Sequence, residues 1–457
     1  MQADASLYFP EDASPYGRRK AGLLAQLQAS PVSAPLGLGK RTSNLFRDRT
    51  GHHKRRLDLG NFCHVLDVCA ENGWVDAEGL TSYEDLVAAT LPSGVMPVVV
   101  PQLKTITIGG AAAGVGIEAT SFRHGLMHET LIEFDVLLPN GEIVLCRPDN
   151  QYSDLFFGFP NSYGTLGYAL RLRQRTLRVK SCVRVEHRRY QSADAYFAAL
   201  DEQCAGTADF IDGVVFGPHT LVLNVARFAD EAPRLSDYGF EHIYYRSLLE
   251  KDVDYLDVGD YLWRWDTDWF WCSKNLGAQY SLVRQILGRK RLNSRTYTRL
   301  MRWNARWGLT RRWARLRGLY PEAVIQDVDI PVARAEEFLD FLLSEVGIVP
   351  IWICPVRTLE SSARYPLYPL APGILYVNFG FWDTVYSNVA REAGHYNRLI
   401  EREVLRLGGI KSLYSDSFFT RQEFAKAYGL EQLEILKAKY DPHGHALGLY
   451  EKCVLRA

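Results

Sequence analysis

At 457 residues, with 47% hydrophobic and 23% charged positions, the chain is globular rather than disordered and long enough for two cores. Its 53 Lys and Arg balance 53 Asp and Glu, so no global field draws it to nucleic acid. Eight cysteines (Cys63, Cys69, Cys146, Cys182, Cys204, Cys272, Cys354 and Cys453) form no CxxC pair and no zinc-spaced set. That spacing argues against a disulfide framework or structural metal and fits a reducing compartment. Without an apolar leader core or an apolar run of about 18 residues, a cytoplasmic protein is predicted, peripheral on the inner face of a membrane at most.

In chain order, the first forty residues read as loop, punctuated by Pro10, Pro15, Pro31 and Pro35 and ending in the small polar stretch Gly37–Asn44. Strands are predicted at Cys63–Val68 and from the Gly73–Asp76 turn onward. Ser82 and Asp85 cap a helix reaching Leu91, Gly94 ends it, and Val95–Val100 is an apolar strand. Leu131–Leu138 and Glu142–Cys146 are strands joined through Asn140-Gly141, the favoured dipeptide of a tight hairpin. Asp154–Phe157 leads to the loop Ser162–Gly167, and Tyr168–Arg175 alternates apolar and basic residues as a strand. These short strands define an α+β domain over residues 1–180.

Beyond it, strands are predicted at Glu186–Tyr190, Gly213–Asn224, Ala323–Ile330, Val349–Cys354 and Ile374–Gly380. Helices are predicted at Asp194–Leu200 and Asn388–Leu407. Residues 254–274 are dense in aromatics. Between 281 and 321 there is no acid, while twelve Arg or Lys occur from Arg284 to Arg317. There Leu300, Trp303 and Trp307 share a helical face flanked by Arg299, Arg302 and Arg306. Arg and Trp without acids suit a membrane-surface helix; a homodimer or domain contact is the alternative, and nucleic acid is disfavoured.

The stretch from Thr107 to Gly141 concentrates Gly109, Gly110, Gly114, Gly116 and Gly125 among small residues. Glycines allow close backbone approach, and successive exposed N–H groups make an anion cradle, so a phosphate is expected here. Gly114–Ala119 matches G-x-G-x-x-A, with Glu133 where a ribose-binding acid would stand, but no strand precedes it and Gly125 interrupts the required helix. The better reading is a dinucleotide held between this loop and residues 37–44.

The string VVVPQLKTITIGGAAAGVGIEATSFRHG, the LLPNGEIV hairpin, Asp154-Leu155-Phe156 and SYGTLGYALRLR together resemble the FAD-binding domain of the vanillyl-alcohol-oxidase (PCMH) type, in its diminuto or Δ24-sterol reductase branch. The likeness continues through Ala323–Asp327, Pro350–Pro355, Leu413–Asp416, Arg421–Phe424 and Tyr450–Cys453. It implies an α+β fold: a two-subdomain FAD-binding domain, then an α+β substrate-capping domain over 181–457 whose C-terminal segment returns to the first. It implies FAD contacts from Lys40, Thr42, Ser43 and Asn44 in one loop. Gly109, Gly110, Gly114, Gly116, Ser121, His124 and Gly125 form the other, with Gly164, Thr165 and Gly167 nearby. Relatives that bind FAD covalently use a His in the first loop or a Cys in the second. No His lies between Pro35 and Arg47, although His52 and His53 follow, and the second loop has no Cys. Non-covalent FAD is expected.

The same resemblance implies an oxidoreductase acting on a C–C bond of a lipid, either a sterol side chain or a methyl- or methylene-branched phospholipid acyl chain. The acyl chain is slightly preferred because no N-terminal anchor is read. An alcohol or sugar oxidase and a flavin-free lipid-binding protein are the alternatives. A proton donor is needed beside the flavin, and Tyr414, Asp416, Glu118, Arg123 and His395 are the candidates. Neither the electron donor nor a metal is indicated by any motif.

Overall fold

The computed structural model describes residues 14–29, 36–39, 46–47, 55–359 and 365–456. Lys40, Thr42, Ser43 and Asn44, with His52 and His53, lie outside the described residues.

The first domain is organised by one long strand whose side chains alternate between charge and oil. Its strands are β1 (Leu36–Gly39), β2 (Arg55–Asp58), β3 (Val65–Cys69), β4 (Trp74–Glu78), β5 (Val95–Pro97), β6 (Leu131–Leu137), β7 (Ile143–Cys146) and β8 (Tyr168–Arg178). β1 and β2 pair in parallel, while β3-β4-β8-β6-β7 form an antiparallel sheet with β5 on the far end of β8. Leu170 and Leu172 of β8 are fully buried, and the intervening Arg171 and its neighbour Arg173 face a row of carboxylates. Arg171 meets Asp76 at 3.0 Å and also Glu133 and Asp135, and Arg173 meets Asp76 at 2.9 Å. Glu133 is thereby consumed by arginines, Arg147 included, and cannot serve as the ribose acid of a Rossmann site.

The predicted Asn140-Gly141 hairpin forms, with Gly141 at φ 96°. Ser82 caps the helix Tyr83–Thr90 by accepting from the Asp85 N–H, and Gly94 ends the following turn at φ 71°. The predicted Val95–Val100 strand is short, Val95–Pro97, and its last bond to β8 runs from the Val98 N–H to the Arg175 carbonyl at 3.1 Å. The N-terminal region is corrected: Pro15–Ala29 is a helix, not a loop. Proline suits a first helical turn, and Tyr16, Leu23 and Leu27 supply an apolar stripe on Leu57, Leu59, Phe62 and Leu170. The Tyr16 hydroxyl donates to Asp135 at 2.7 Å, and Arg19 donates to Glu78 at 2.7 Å.

The second sheet opens where the first closes, with only three residues between Arg178 and Cys182. It contains β9 (Cys182–Tyr190), β10 (Phe210–Gly217), β11 (Thr220–Ala229), β12 (Val253–Asp257), β13 (Tyr320–Pro331), β14 (Ile351–Val356), β15 (Tyr376–Ser387) and β16 (Ile410–Lys411). All neighbours in the order β12-β9-β11-β10-β14-β15-β13-β16 are antiparallel. Period-2 alternation gives it two chemically different faces. Ile211, Val215, Val324, Val328, Ile353, Val377, Phe379 and Phe381 pack with the helices Ala193–Cys204, Ala335–Phe341 and His395–Arg406. Trp352, Cys354, Val356 and Tyr376 join the core of the first domain instead, and Asp212, Asp327, Asp329 and Trp382 share that side by register.

β15 runs to Ser387, well past the predicted Gly380, and the final long helix starts at His395 instead of Asn388. Pairing with all of β13 outweighs the helical pattern there, and Gly394 at φ 76° begins the helix. The helices Leu430–Tyr440 and Leu449–Cys453 bring the C-terminus back onto the first domain: Tyr440 donates to Asp154 at 2.6 Å and Lys452 to the Tyr163 carbonyl at 2.8 Å.

Gly79 ends β4 where the chain crosses β8, and a Cβ there would lie 1.9 Å from the Ala169 carbonyl oxygen. Gly79→Ala should cost about 1–3 kcal/mol by overpacking, read as a lowered urea midpoint. Gly22→Ala, at an open position inside the first helix, should gain about 0.4–1 kcal/mol. Equal midpoints for the two variants would disprove this account of the crossing.

Candidate active site

Thr107 accepts from the Gly110 N–H at 3.2 Å and so starts the short helix Ile108–Ala113. The Gly109 N–H goes to the Gly79 carbonyl at 2.9 Å, Gly114 to Gly110 at 3.0 Å, and Gly125 to Ser121 at 3.2 Å. These glycine donors are spent inside the fold, contrary to the expectation that they face a phosphate. What Gly109 provides is close approach: a Cβ would lie 2.7 Å from the Gly79 carbonyl oxygen. The open donors are one turn on. The consecutive N–H groups of Val115, Gly116 and Ile117 make no hydrogen bond with any described residue.

The loop 161–167 is sewn to this one. Asn161 donates to the Gly114 carbonyl at 3.1 Å and Tyr163 to Ala113 at 2.8 Å. Asn161, Tyr163 and Gly164 all have positive φ, of 60°, 49° and 76°. The hydroxyls of Ser162 and Thr165 are buried and have no partner among the described residues. Gly167 lies where this loop enters β8, with φ 125°. The end of the first candidate loop reaches the same place, since the Arg47 guanidinium sits 4.8 Å from the Tyr163 ring. Ser121 accepts from the Glu118 N–H at 3.1 Å, and its carbonyl accepts from Arg357 at 3.2 Å. His124 is half-buried, and burial with the nearby Arg123 and Arg175 guanidiniums pushes its pKa down.

Phe46, next to Arg47, packs into a cluster of aromatic rings. Its N–H donates to the Tyr414 carbonyl at 2.9 Å, and its ring lies 5.8 Å from those of both Tyr414 and Trp269. Phe270 packs on Trp382 at 4.4 Å and on Trp352 at 5.5 Å, with Trp271 5.6 Å from Trp382. Trp269 and Phe270 hold φ of 45° and 59°, a conformation costing about 1–3 kcal/mol each in a non-glycine residue. Such strain persists only where surrounding structure imposes it.

Asp327 borders this cluster from the sheet. Asp327 hydrogen-bonds the Tyr414 hydroxyl, which in turn accepts from Trp382 Nε1 at 2.7 Å. Burial, with Asp329 adding repulsion, pushes the Asp327 pKa up to about 7. Gly380 lies directly opposite in β15, and a Cβ there would come within 2.7 Å of both Asp327 and Trp382. Asp329 is satisfied by Tyr368 at 2.7 Å and Asn378 at 2.8 Å.

The other candidates separate. Glu118 is buried beside Arg264 at 3.8 Å, and its pKa rises to about 7 through burial, which outweighs that arginine. Arg264 is itself buried and meets Asp212 at 2.7 Å; Asp212 also accepts from Trp265 at 3.1 Å, Trp352 at 3.4 Å and Asn224 at 2.8 Å. Arg123 donates to the Gly206 carbonyl at 2.7 Å, away from the loop. Asp416 stands 3.6 Å from Arg456, outside the ring cluster. His395 begins a helix on the opposite face of the sheet from Asp327. Asp327 was missed as a candidate, although Asp327 and Asp329 in the apolar run from Val324 to Ile330 share one strand face, which is a legible sign of a buried polar surface.

Residues 37–147, spanning both candidate loops and the hairpin, match the FAD binding domain family. The chain is an FAD-dependent oxidoreductase. It is 26% identical to the Delta(24)-sterol reductase of Arabidopsis thaliana over 446 residues, covering 87% of this chain and 76% of the relative. The Delta(24)-sterol reductase of Homo sapiens is 24% identical over 401 residues, 82% of this chain and 73% of the relative. Cytokinin dehydrogenase 10 of Oryza sativa subsp. japonica shares 33% over 125 residues, 27% of this chain and 21% of its own length. The flavoenzyme's loops suit a dinucleotide: three consecutive open N–H groups and two unpartnered buried hydroxyls converge beside a guanidinium.

The Arg264 network spans the Gly-rich loop, the second sheet and the aromatic segment. Asp212→Asn preserves shape but leaves Arg264 under-neutralised, which should cost about 3–5 kcal/mol in urea denaturation. A loss below about 1 kcal/mol, the range of a solvated pair, would show that the network does not hold these parts together.

Proposed function

We propose that this flavoenzyme reduces an isolated carbon–carbon double bond in a lipid hydrocarbon, a sterol side chain or a branched phospholipid acyl chain, and binds FAD non-covalently. The observation that carries the reading is the pair Asp327–Tyr414 at the edge of the aromatic cluster, which would form the wall of a substrate chamber, beside the end of the first FAD loop. An apolar wall binds hydrocarbon without competing polar contacts, and one carboxyl in it meets the need for a proton. Similarity to the sterol reductases makes a sterol side chain the first substrate to test.

FAD bound here would supply the hydride once an electron donor had reduced it. The N–H groups of Val115, Gly116 and Ile117 and the hydroxyls of Ser162 and Thr165 would hold its pyrophosphate, and the family resemblance adds Lys40, Thr42, Ser43 and Asn44 as further contacts. Gly109, Gly110, Gly114, Gly125, Gly164 and Gly167 shape it, and Ser121 and His124 border it. Asp327 holds the proton and Tyr414 carries it to the alkene carbon; Glu118 fixes the loop from below. A lipid substrate also calls for peripheral attachment to a membrane.

Below pH 7 Asp327 is protonated and can donate; as pH rises through about 7 it loses that proton, so reduction slows. The raised pKa also means that its contribution to stability is fully present below the ordinary carboxylate range and is lost as pH rises through about 7. The test is anaerobic. Flavin reduced with dithionite is mixed with a Δ24-unsaturated sterol or a methylene-branched phospholipid, and the return of flavin colour is timed alongside a two-hydrogen mass gain in the lipid. Asp327→Asn should slow this step by roughly 10²–10⁴-fold, keep the flavin spectrum and flatten the pH profile, whereas Glu118→Gln should leave the profile in place. Rapid peroxide formation from an alcohol substrate would replace the reading with an oxidase, and a protein that takes up no FAD would replace it with a lipid carrier.

A further inference from the structure

The second domain carries a surface unlike the rest of the molecule. Trp303, Trp307 and Trp313 are 57%, 54% and 58% exposed, while the other seven of the chain's ten tryptophans are buried or half-buried. Tyr280, Leu282, Ile286 and Leu316 nearby are exposed by 69–86%. The apolar patch therefore begins before the basic segment, at the short helix Ser281–Leu287, and continues over the helices Ser294–Trp307 and Leu309–Leu316.

Its cations divide into two sets. Arg284, Arg289 and Arg295 pair with Asp268, Asp237 and Glu84, acids supplied from elsewhere in the chain, and so fasten the segment down. Lys290, Arg291, Arg299, Arg312 and Arg315 are exposed and make no ion pair with a described residue. Arg317 lies over the Trp313 ring at 3.9 Å. On the longer helix, Leu300, Trp303 and Trp307 form one stripe. Tyr297 is the buried side, and Arg299 is on the flank.

The attachment leads to the chamber. Asp266 accepts from Ser294, and the Tyr297 hydroxyl donates to the Thr267 carbonyl at 2.9 Å, two residues before Trp269. We propose that residues 280–316 are a docking platform for an anionic phospholipid bilayer, with the tryptophans at headgroup depth, the unpaired arginines on the lipid phosphates, and the chamber wall joined to its base. Charge complementarity selects this occupant. Five unneutralised cations beside exposed rings on a chain of zero net charge oppose apposition of two copies of the patch and match an anionic interface. The link to the chamber rests on the lipid reading above; binding to the bilayer does not.

The test uses the full chain loaded with FAD and vesicles of phosphatidylcholine alone or mixed with phosphatidylglycerol. Co-sedimentation should require the anionic lipid, weaken with salt and bring a blue shift of tryptophan emission. The triple variant R299Q/R312Q/R315Q should bind on the order of 100-fold more weakly. The triple variant W303S/W307S/W313S should lose the emission shift and bind at least about 10-fold more weakly. All these side chains are exposed, so both variants should retain the thermal midpoint and the turnover of a detergent-dispersed substrate. Equal binding to neutral vesicles, or variants that bind like the parent, would overturn the proposal. So would a dimer that the tryptophan variant dissociates, or a single-stranded oligonucleotide complex lost in the arginine variant, in the absence of vesicle binding. Vesicle binding without lipid reduction would leave the platform standing and remove the proposed reaction instead.

Discussion

The guanidinium of Arg264 is almost wholly removed from water, and the molecule is arranged around neutralising it. Charge in a poorly polarisable interior is tolerated only with close, well-directed partners. Those partners come from far apart: Asp212 from the second sheet, Glu118 from the Gly-rich loop, with Trp265 and Trp352 donating their indole N–H groups to Asp212. Because each partner lies on a different element, satisfying one ion sets the loop, the sheet and the aromatic segment in register. Further bonds follow the same joint, with Ile211 donating to Ala119 at 2.8 Å and Thr358 to Glu129 at 2.6 Å. A cofactor loop clamped in this way needs little reorganisation when it takes a ligand.

Small residues serve that joint differently from the way composition suggests. Glycine in a nucleotide loop is readily equated with exposed N–H donors, yet Gly109, Gly110, Gly114 and Gly125 spend theirs on the fold. Gly109 lets one backbone lie against another, and that contact presents the donors of Val115, Gly116 and Ile117 instead.

Legibility follows range of interaction. The Ser82 cap, the Asn140-Gly141 hairpin and the Arg–Leu alternation of β8 depend on near neighbours, and each could be read directly from its residues. The helix Pro15–Ala29 was hidden among prolines because its stability comes from Leu57, Phe62 and Leu170, which no local pattern reveals. Tyr414 could be named but not its role. Its meaning depends on Asp327, eighty-seven positions earlier, and on a β13–β15 register that brings Gly380 and Trp382 beside that acid. His395, a chemically attractive residue, falls on the opposite side of the same sheet from Asp327. Period 2 decides both outcomes, since a strand offers alternate residues to opposite faces.

The two faces of that sheet also explain how a reactive acid can be kept in an apolar chamber. One face is a continuous aliphatic and phenylalanine core under three helices. The other packs Trp352, Cys354 and Val356 into the larger core and also holds Asp327, Asp329 and Trp382. Withholding water raises the Asp327 pKa toward neutrality, which favours the protonated form over the ion. The left-handed backbone at Trp269 and Phe270 fits the same logic: strain is accepted at the chamber wall because the opposite face and the Arg264 clamp hold the surrounding frame. The same sheet thus sets an aliphatic core on one face and its titratable residues on the other, residue by residue.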